Sequence, residues 1–107
     1  MLEVHVNFGT AEEAGKVARA AVEKRLAASA SVRSAVRSFY WWQQVLHEED
    51  EVPVVFKTAE SKVHDLMDFI TGAHSYELPG IVVHRPMTAN AKYLAWIDTE
   101  TRRPGRR

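Results

Sequence analysis

The apolar pattern of this chain predicts an α+β fold, a ferredoxin-like βαββαβ sandwich with an extended β-hairpin and a short C-terminal helix. Three observations carry that reading. Strand-like runs occur at the N-terminus, where they alternate with period two, on both sides of a charged stretch within Ser31–Thr58, and as a short buried-type run before Pro86. Apolar stripes at spacings of three and four lie between the first of these runs and Ser31 and between Thr58 and the last. With 107 residues there is room for one core, and two right-handed β-α-β halves close such a core by interleaving into one antiparallel sheet with both helices on one face.

Taken in order, Leu2, Val4, Val6 and Phe8 alternate with Glu3, His5 and Asn7 to make the first strand, which Gly9 ends. Thr10-Ala11-Glu12-Glu13 has capping-box spacing: Thr10 accepts from the Glu13 N–H, and Glu13 reaches back to Thr10. Ala14, Val17, Ala18, Ala21, Val22 and Leu26 then predict a helix over about 11–28, its alanines allowing close approach to a sheet.

The next two β-rich runs read as a long hairpin around the polar stretch His47-Glu48-Glu49-Asp50-Glu51. Each arm reaches ~30 Å, more than a domain of this size needs for its own core. The overhang has to bury Phe39, Tyr40, Trp41 and Trp42 somewhere, and another subunit is the simplest place. Pro53 removes a ladder donor, so it marks a bulge or an unpaired edge position.

Beyond the hairpin, Thr58 is placed to cap a second helix with Val63, Leu66, Met67 and Ile70 as its buried stripe, stopped at Gly72. The loop Ala73–Pro79 leads into the strand Gly80–Arg85, and Asn90 caps a last helix containing Tyr93, Leu94, Trp96 and Ile97. Residues 1–101 form one domain. Residues 102–107, with four arginines and no periodicity, read as a basic disordered tail.

Composition excludes several functions. The absence of cysteine rules out disulfides, thiolate metal sites and thiol catalysis. Basic and acidic residues balance at 14 each, and no Gly-rich phosphate loop is present, so a nucleic-acid partner is not expected. No apolar run approaches the ~18 residues of a membrane span, and the N-terminus enters strand pattern directly, so the expected compartment is the cytoplasm, with no membrane partner. No nucleophile–base–orienter order or paired carboxylate motif is visible, so an enzyme is not expected.

Five motifs occur in register: Leu26-Ala27-Ala28, Tyr40-x-Trp42, Phe56-Lys57-Thr58, His74-Ser75-Tyr76-Glu77-Leu78-Pro79 and Tyr93-Leu94-Ala95-Trp96-Ile97. Together they resemble the CutA divalent-cation tolerance family over nearly the whole chain. The resemblance implies a PII-like homotrimer in which the long hairpin joins neighbouring sheets, and a role in the response to divalent metal such as copper. It also implies that Tyr40, Trp42, Tyr76, Lys57 and Trp96 line an intersubunit cleft or interface. The chain departs from the family in several places: Ser29 stands where cysteine is common, the end of the first strand lacks the cysteine of some relatives, Trp42-Gln43-Gln44-Val45 replaces a Trp-Glu-Gly-Lys turn, Ser75 replaces the proline of a His-Pro-Tyr motif, and Pro53 sits in the second hairpin arm.

Among candidate ligands, His74 and Glu77 are three apart in one loop and suit Cu²⁺ or Zn²⁺. The competing reading has both orienting the loop through backbone hydrogen bonds, with Tyr76 as packing. His5 and His84 share a sheet face if the first and last strands are adjacent. His47 and His64 sit among charges. Glu48–Glu51 lacks the spacing of a calcium loop and reads as a solubilising hairpin tip. The alternative function is a PII-like signalling or scaffold module that binds a small ligand or a protein in the intersubunit cleft.

Overall fold

Side-chain alternation along the first strand sets the core. In the computed structural model, which describes residues 1–104, β1 (Leu2–Phe8) buries Leu2, Val4, Val6 and Phe8 and turns Glu3, His5 and Asn7 to the opposite face. Against the buried face lie α1 (Ala11–Glu23) and α2 (Val63–Ala73). Ala14, Val17, Ala18 and Ala21 of α1 and Leu66 and Ile70 of α2 join Val52, Val54 and Phe56 of β4 (Val45–Thr58) in one cluster. With β2 (Ser29–Val32) and β5 (Ile81–His84) the sheet order is β2-β4-β1-β5, every pair antiparallel, which is the ferredoxin-like interleaving. The sheet's other face is partly covered by α3 (Ala91–Arg102), which contacts β4. Among the described residues no helix is long and apolar enough to cross a membrane.

The hairpin differs from its sequence reading. β3 (Val36–Trp42) pairs with the outer part of β4 from Val36 opposite Glu51 to Trp42 opposite Val45. The turn is therefore Gln43-Gln44, not the acidic stretch, and both glutamines have positive φ, 50° and 68°. Two positive φ values in a two-residue loop are the geometry that matches strand twist. His47–Glu51 is strand. Its carboxylates find partners across the ladder: Arg37 holds Glu48 and Asp50, and Tyr40 donates to Glu49 at 2.7 Å.

Pro53 marks a bulge, as its missing donor predicts, but the surplus residue lies across from it while Pro53 itself stays in register opposite Asn7. Between the pairs Val32–Val54 and Val36–Glu51 stand residues 33–35 on one side and only 52 and 53 on the other, so one residue is extra. Arg33 donates its N–H to the Pro53 carbonyl at 2.9 Å. The hairpin beyond makes the subunit long: its greatest extent is 45 Å, and its radius of gyration of 14.4 Å exceeds the ~13 Å of a compact chain of this length.

Four local expectations are corrected. α1 stops at Glu23, not near 28, because Arg25 takes φ 62° and closes a Schellman motif through Leu26 N–H to the Ala21 carbonyl and Arg25 N–H to Val22. A left-handed arginine is tolerated there because its guanidinium reaches Glu100 of α3 at 2.8 Å. Thr58 does not cap a helix: it is fully buried and donates to the Leu26 carbonyl at 2.7 Å, while α2 is entered through a 3₁₀ turn at Glu60–Lys62. Gly72 lies inside α2, which ends at Ala73. Asn90 is the N-cap of α3 through its carbonyl alone, accepting from Leu94 N–H. Arg102 is the last helical residue, and Arg106 and Arg107 lie outside the described residues.

Left-handed backbone costs about 1–2 kcal/mol at a non-glycine residue, and glycine returns part of that in unfolded-chain entropy. Gln44→Gly should therefore stabilise the protein by about 1 kcal/mol, read as a higher denaturation midpoint. A lower midpoint would contradict the turn assignment.

Candidate functional site

The loop after α2 is held by backbone and side-chain bonds to three other elements. His74, the C-cap of α2, is buried, with Nε2 2.8 Å from the Asn7 carbonyl and Nδ1 accepting from the Tyr76 N–H at 3.0 Å. That pattern places the proton on Nε2. The ring stacks on Phe8 with centroids 4.4 Å apart and planes 10° from parallel. Next to it, Ser75 donates its N–H and its hydroxyl to the Glu13 carboxylate at 2.9 and 3.0 Å. Thr10 accepts from the Glu13 N–H at 3.1 Å as expected, but Glu13 is turned to Ser75 and does not complete the capping box.

His74 therefore offers an ion no free nitrogen in this conformation, and Glu77 is exposed. Among the described residues no group of three His, Asp or Glu is arranged to hold a metal ion. The backbone-orienting role of His74 is the one its geometry displays.

Tyr76 leans back over the end of β1, its ring 3.5 Å from the position a Cβ would take at Gly9, and donates from its hydroxyl to Glu51 at 2.8 Å. Asn7 donates to the other Glu51 oxygen at 3.4 Å. Glu51 is only 8% exposed. Burial first, and then the hydrogen bond to Glu51, holds the Tyr76 phenol well above its ordinary range. The hydrogen bond from Tyr40 to Glu49 pushes the Tyr40 phenol up to about 12.

These groups surround a cleft of about 630 Å³ on the sheet face away from α1 and α2. His5 and Asn7 of β1, Tyr40 and Trp42 of β3, Glu51 of β4 and Tyr76 of the loop line it, and Leu78 and Val82 close it toward β5. The structure thus gathers five sequence candidates, His5, Tyr40, Trp42, Tyr76 and Glu77, in one place. It adds Asn7, which was not singled out, and Glu51, which the sequence placed on a solubilising hairpin tip and the structure buries. Alternation from Val52 inward was the available signal for Glu51, because a residue preceding a buried-face valine must face the opposite side of the sheet.

The remaining candidates lie elsewhere. His84 stands diagonally across from His5, and the two rings are 4.2 Å apart between centroids, confirming a shared face. Glu3 lies 3.0 Å from His5 Nε2. Lys57 of β4 and Trp96 of α3 each approach Tyr93, the Lys57 ammonium 5.3 Å from its ring centroid and Trp96 stacked on it at 5.8 Å.

Residues 2–100 match the family model described as CutA1 divalent ion tolerance protein. The chain belongs to the CutA family. It is 34% identical over 103 residues to the divalent-cation tolerance protein CutA of Pyrococcus horikoshii, covering 96% of this chain and all of that one. The crystal structure of CutA1 from that organism superposes with a TM-score of 0.90 at 33% identity, again over 96% and 100% of the two chains. Human protein CutA is 37% identical over 88 residues, which are 82% of this chain but 49% of the human one. A structure named as the periplasmic divalent cation tolerance protein CutA of Archaeoglobus fulgidus superposes at 0.89 with 27% identity, covering 94% and 99%. Within this CutA-family chain, Ser75 in place of the motif's proline has a visible consequence: a proline has no N–H to give Glu13.

The raised Tyr40 phenol gives a direct test. Its protonated form is favoured by folding, so its contribution to stability is complete below the unfolded phenol's pKa of about 10 and is lost as pH rises through about 12. In an absorbance titration of phenolate, Tyr40 should stay mostly protonated at pH 11, and Glu49→Gln should return it toward the ordinary range. An unchanged titration in Glu49→Gln would disprove the pairing.

Proposed function

We propose that this CutA-family chain acts as a cytoplasmic homotrimer in tolerance to divalent cations, binding Cu²⁺ or Zn²⁺ without catalysing a reaction. The observation that carries the reading is the family match over residues 2–100 together with a hairpin that the subunit leaves uncovered. Phe39, Trp41, Val45 and Leu46 are 64%, 72%, 55% and 56% exposed. Apolar surface of that extent marks an interface, and the outer edges of β3 and β5 supply unpaired backbone groups for strand pairing with neighbours. Supporting the metal component, His5 and His84 form the chain's close imidazole pair, and imidazole suits both ions. Among the described residues no third donor completes a site within one chain, so the proposed coordination is shared between subunits. His74 is then the loop's anchor and Glu77 an exposed carboxylate on the cleft lining.

Trp41 is mostly exposed in the single subunit, so its removal should spare the fold and weaken assembly. Trp41→Ala should shift mass by light scattering toward monomer at micromolar dilution, a loss of 2 kcal/mol or more being usual for an aromatic interface anchor (~30-fold in dissociation constant). Wild-type mass and melting temperature in that variant would refute the hairpin interface. For the metal, calorimetric Cu²⁺ titration should show at least about tenfold weaker binding in His84→Ala, since one of two imidazoles is lost. His74→Ala should keep the heat and melt lower. Heat lost in His74→Ala and kept in His84→Ala would return the site to the His74–Glu77 loop.

A further inference from the structure

The cleft beside Glu51 has a chemistry that the metal reading does not use. Glu51 is the buried carboxylate among the described residues, and buried charges in folded chains are paired or serve a ligand. Carboxylates nearer the surface have cations: Glu48 and Asp50 share Arg37, Glu60 meets Arg85, and Glu100 meets Arg25. Glu51 has only neutral donors, the Tyr76 hydroxyl and the Asn7 amide, and they leave part of its acceptor capacity unused. Among the described residues no lysine or arginine lines the cleft. Its walls are aromatic, from Trp42, Tyr40 and Tyr76, and its ~630 Å³ lies within the 300–1,000 Å³ of small-molecule sites.

We propose that this cleft binds a small organic ammonium ion, whose charge is met by Glu51 and whose alkyl groups pack on Trp42, Tyr40 and Tyr76. The cleft combines aromatic walls with two carboxylates, buried Glu51 and exposed Glu77: aromatic rings attract a cation electrostatically, Trp most of all, and a desolvated site strengthens the attraction. A bare divalent ion fits the same space poorly. It needs several oxygen or nitrogen ligands at fixed short distances, and although His5, Glu51 and Glu77 all line the cleft, no three such groups among the described residues are arranged to hold an ion, and the volume is far larger than one. An anionic metabolite would meet two carboxylates, Glu51 and Glu77, with no lysine or arginine among the described lining residues to offset them.

The test is calorimetric titration with choline and with 3,3-dimethylbutan-1-ol, which has the same shape without the charge, in buffer containing EDTA and with oligomer mass checked in parallel. Choline should bind saturably and the neutral isostere at least about tenfold more weakly, the difference a desolvated cation–π and carboxylate contact supplies. Glu51→Gln keeps a side chain that can pair with Tyr76 and Asn7 and should reduce choline affinity at least about tenfold. Trp42→Leu, which leaves Glu51 in place, should also weaken it and serves if Glu51→Gln does not fold. n-Butylammonium should bind as choline does, whether the natural source is a free amine or a lysine side chain. A methylated-lysine or unmodified lysine peptide then separates those sources. Absence of choline binding, equal binding of its neutral isostere, or choline affinity unaffected by Glu51→Gln or Trp42→Leu would each overturn the proposal. The titration is free of metal, so its failure leaves the histidine reading standing, and loss of the histidine site leaves this one standing.

Discussion

β4 has to be continuous while its neighbours are not. Its fourteen residues pair with β1 and β2 at the inner end and with β3 at the outer end. A slip of one residue would carry Val52, Val54 and Phe56 out of the core and push Glu51 and Lys57 into it, so the register is fixed by burial. β2 and β3 reach β4 from the same side with one residue to spare, and the surplus is absorbed opposite Pro53. A proline interior to a paired strand ordinarily forfeits a ladder bond; at the break between β2 and β3 there is none to forfeit. The same register turns Glu51 toward Asn7 and Tyr76 and gives the cleft its acidic base.

The parts of the fold visible in the sequence are those governed by local periodicity. The alternation of Leu2–Phe8, the stripe Ala14–Ala21 and the bulge at Pro53 each follow from a side-chain property acting within a few residues. The hairpin tip was hidden because Gln43-Gln44 carries no glycine, while the acids at Glu48–Glu51 resemble a solvated turn when their partners are unknown. Those partners, Arg37 and Tyr40, are set by cross-strand register rather than by spacing along the chain. Thr58 and Glu13 misled for the same reason. Each has a local role available, and each is held by a distant group, the Leu26 carbonyl and Ser75, whose approach depends on packing.

The candidate site divides along the same line. His5 and His84 were legible because strand order alone decides whether they meet, and the ferredoxin-like order makes them diagonal neighbours. His74 looked like a ligand because its chemistry was read without its surroundings. Burial against Phe8 and two backbone bonds convert it into an anchor that ties the loop to β1. Ser75 ties that loop to α1, and Tyr76 ties it to β4 beyond the bulge. The short loop thus holds the cleft's upper wall to three separate elements, which favours a preformed site over one assembled at the moment of binding.

His5 belongs to both proposed sites. Its ring packs on His84 and also lines the cleft, so a cation held by the imidazole pair and a cation held by Glu51 stand on either side of one side chain. Like charges in neighbouring, partly desolvated positions repel, and whatever reduction one bound cation causes in the other's affinity must be returned by the same factor. An ammonium ion in the cleft would then report on metal occupancy without touching the metal, and rising divalent cation would empty the cleft. That antagonism follows from shared position on β1 alone. It needs no conformational change, because the two sites are joined by electrostatics through His5 rather than by movement of the loop or the hairpin.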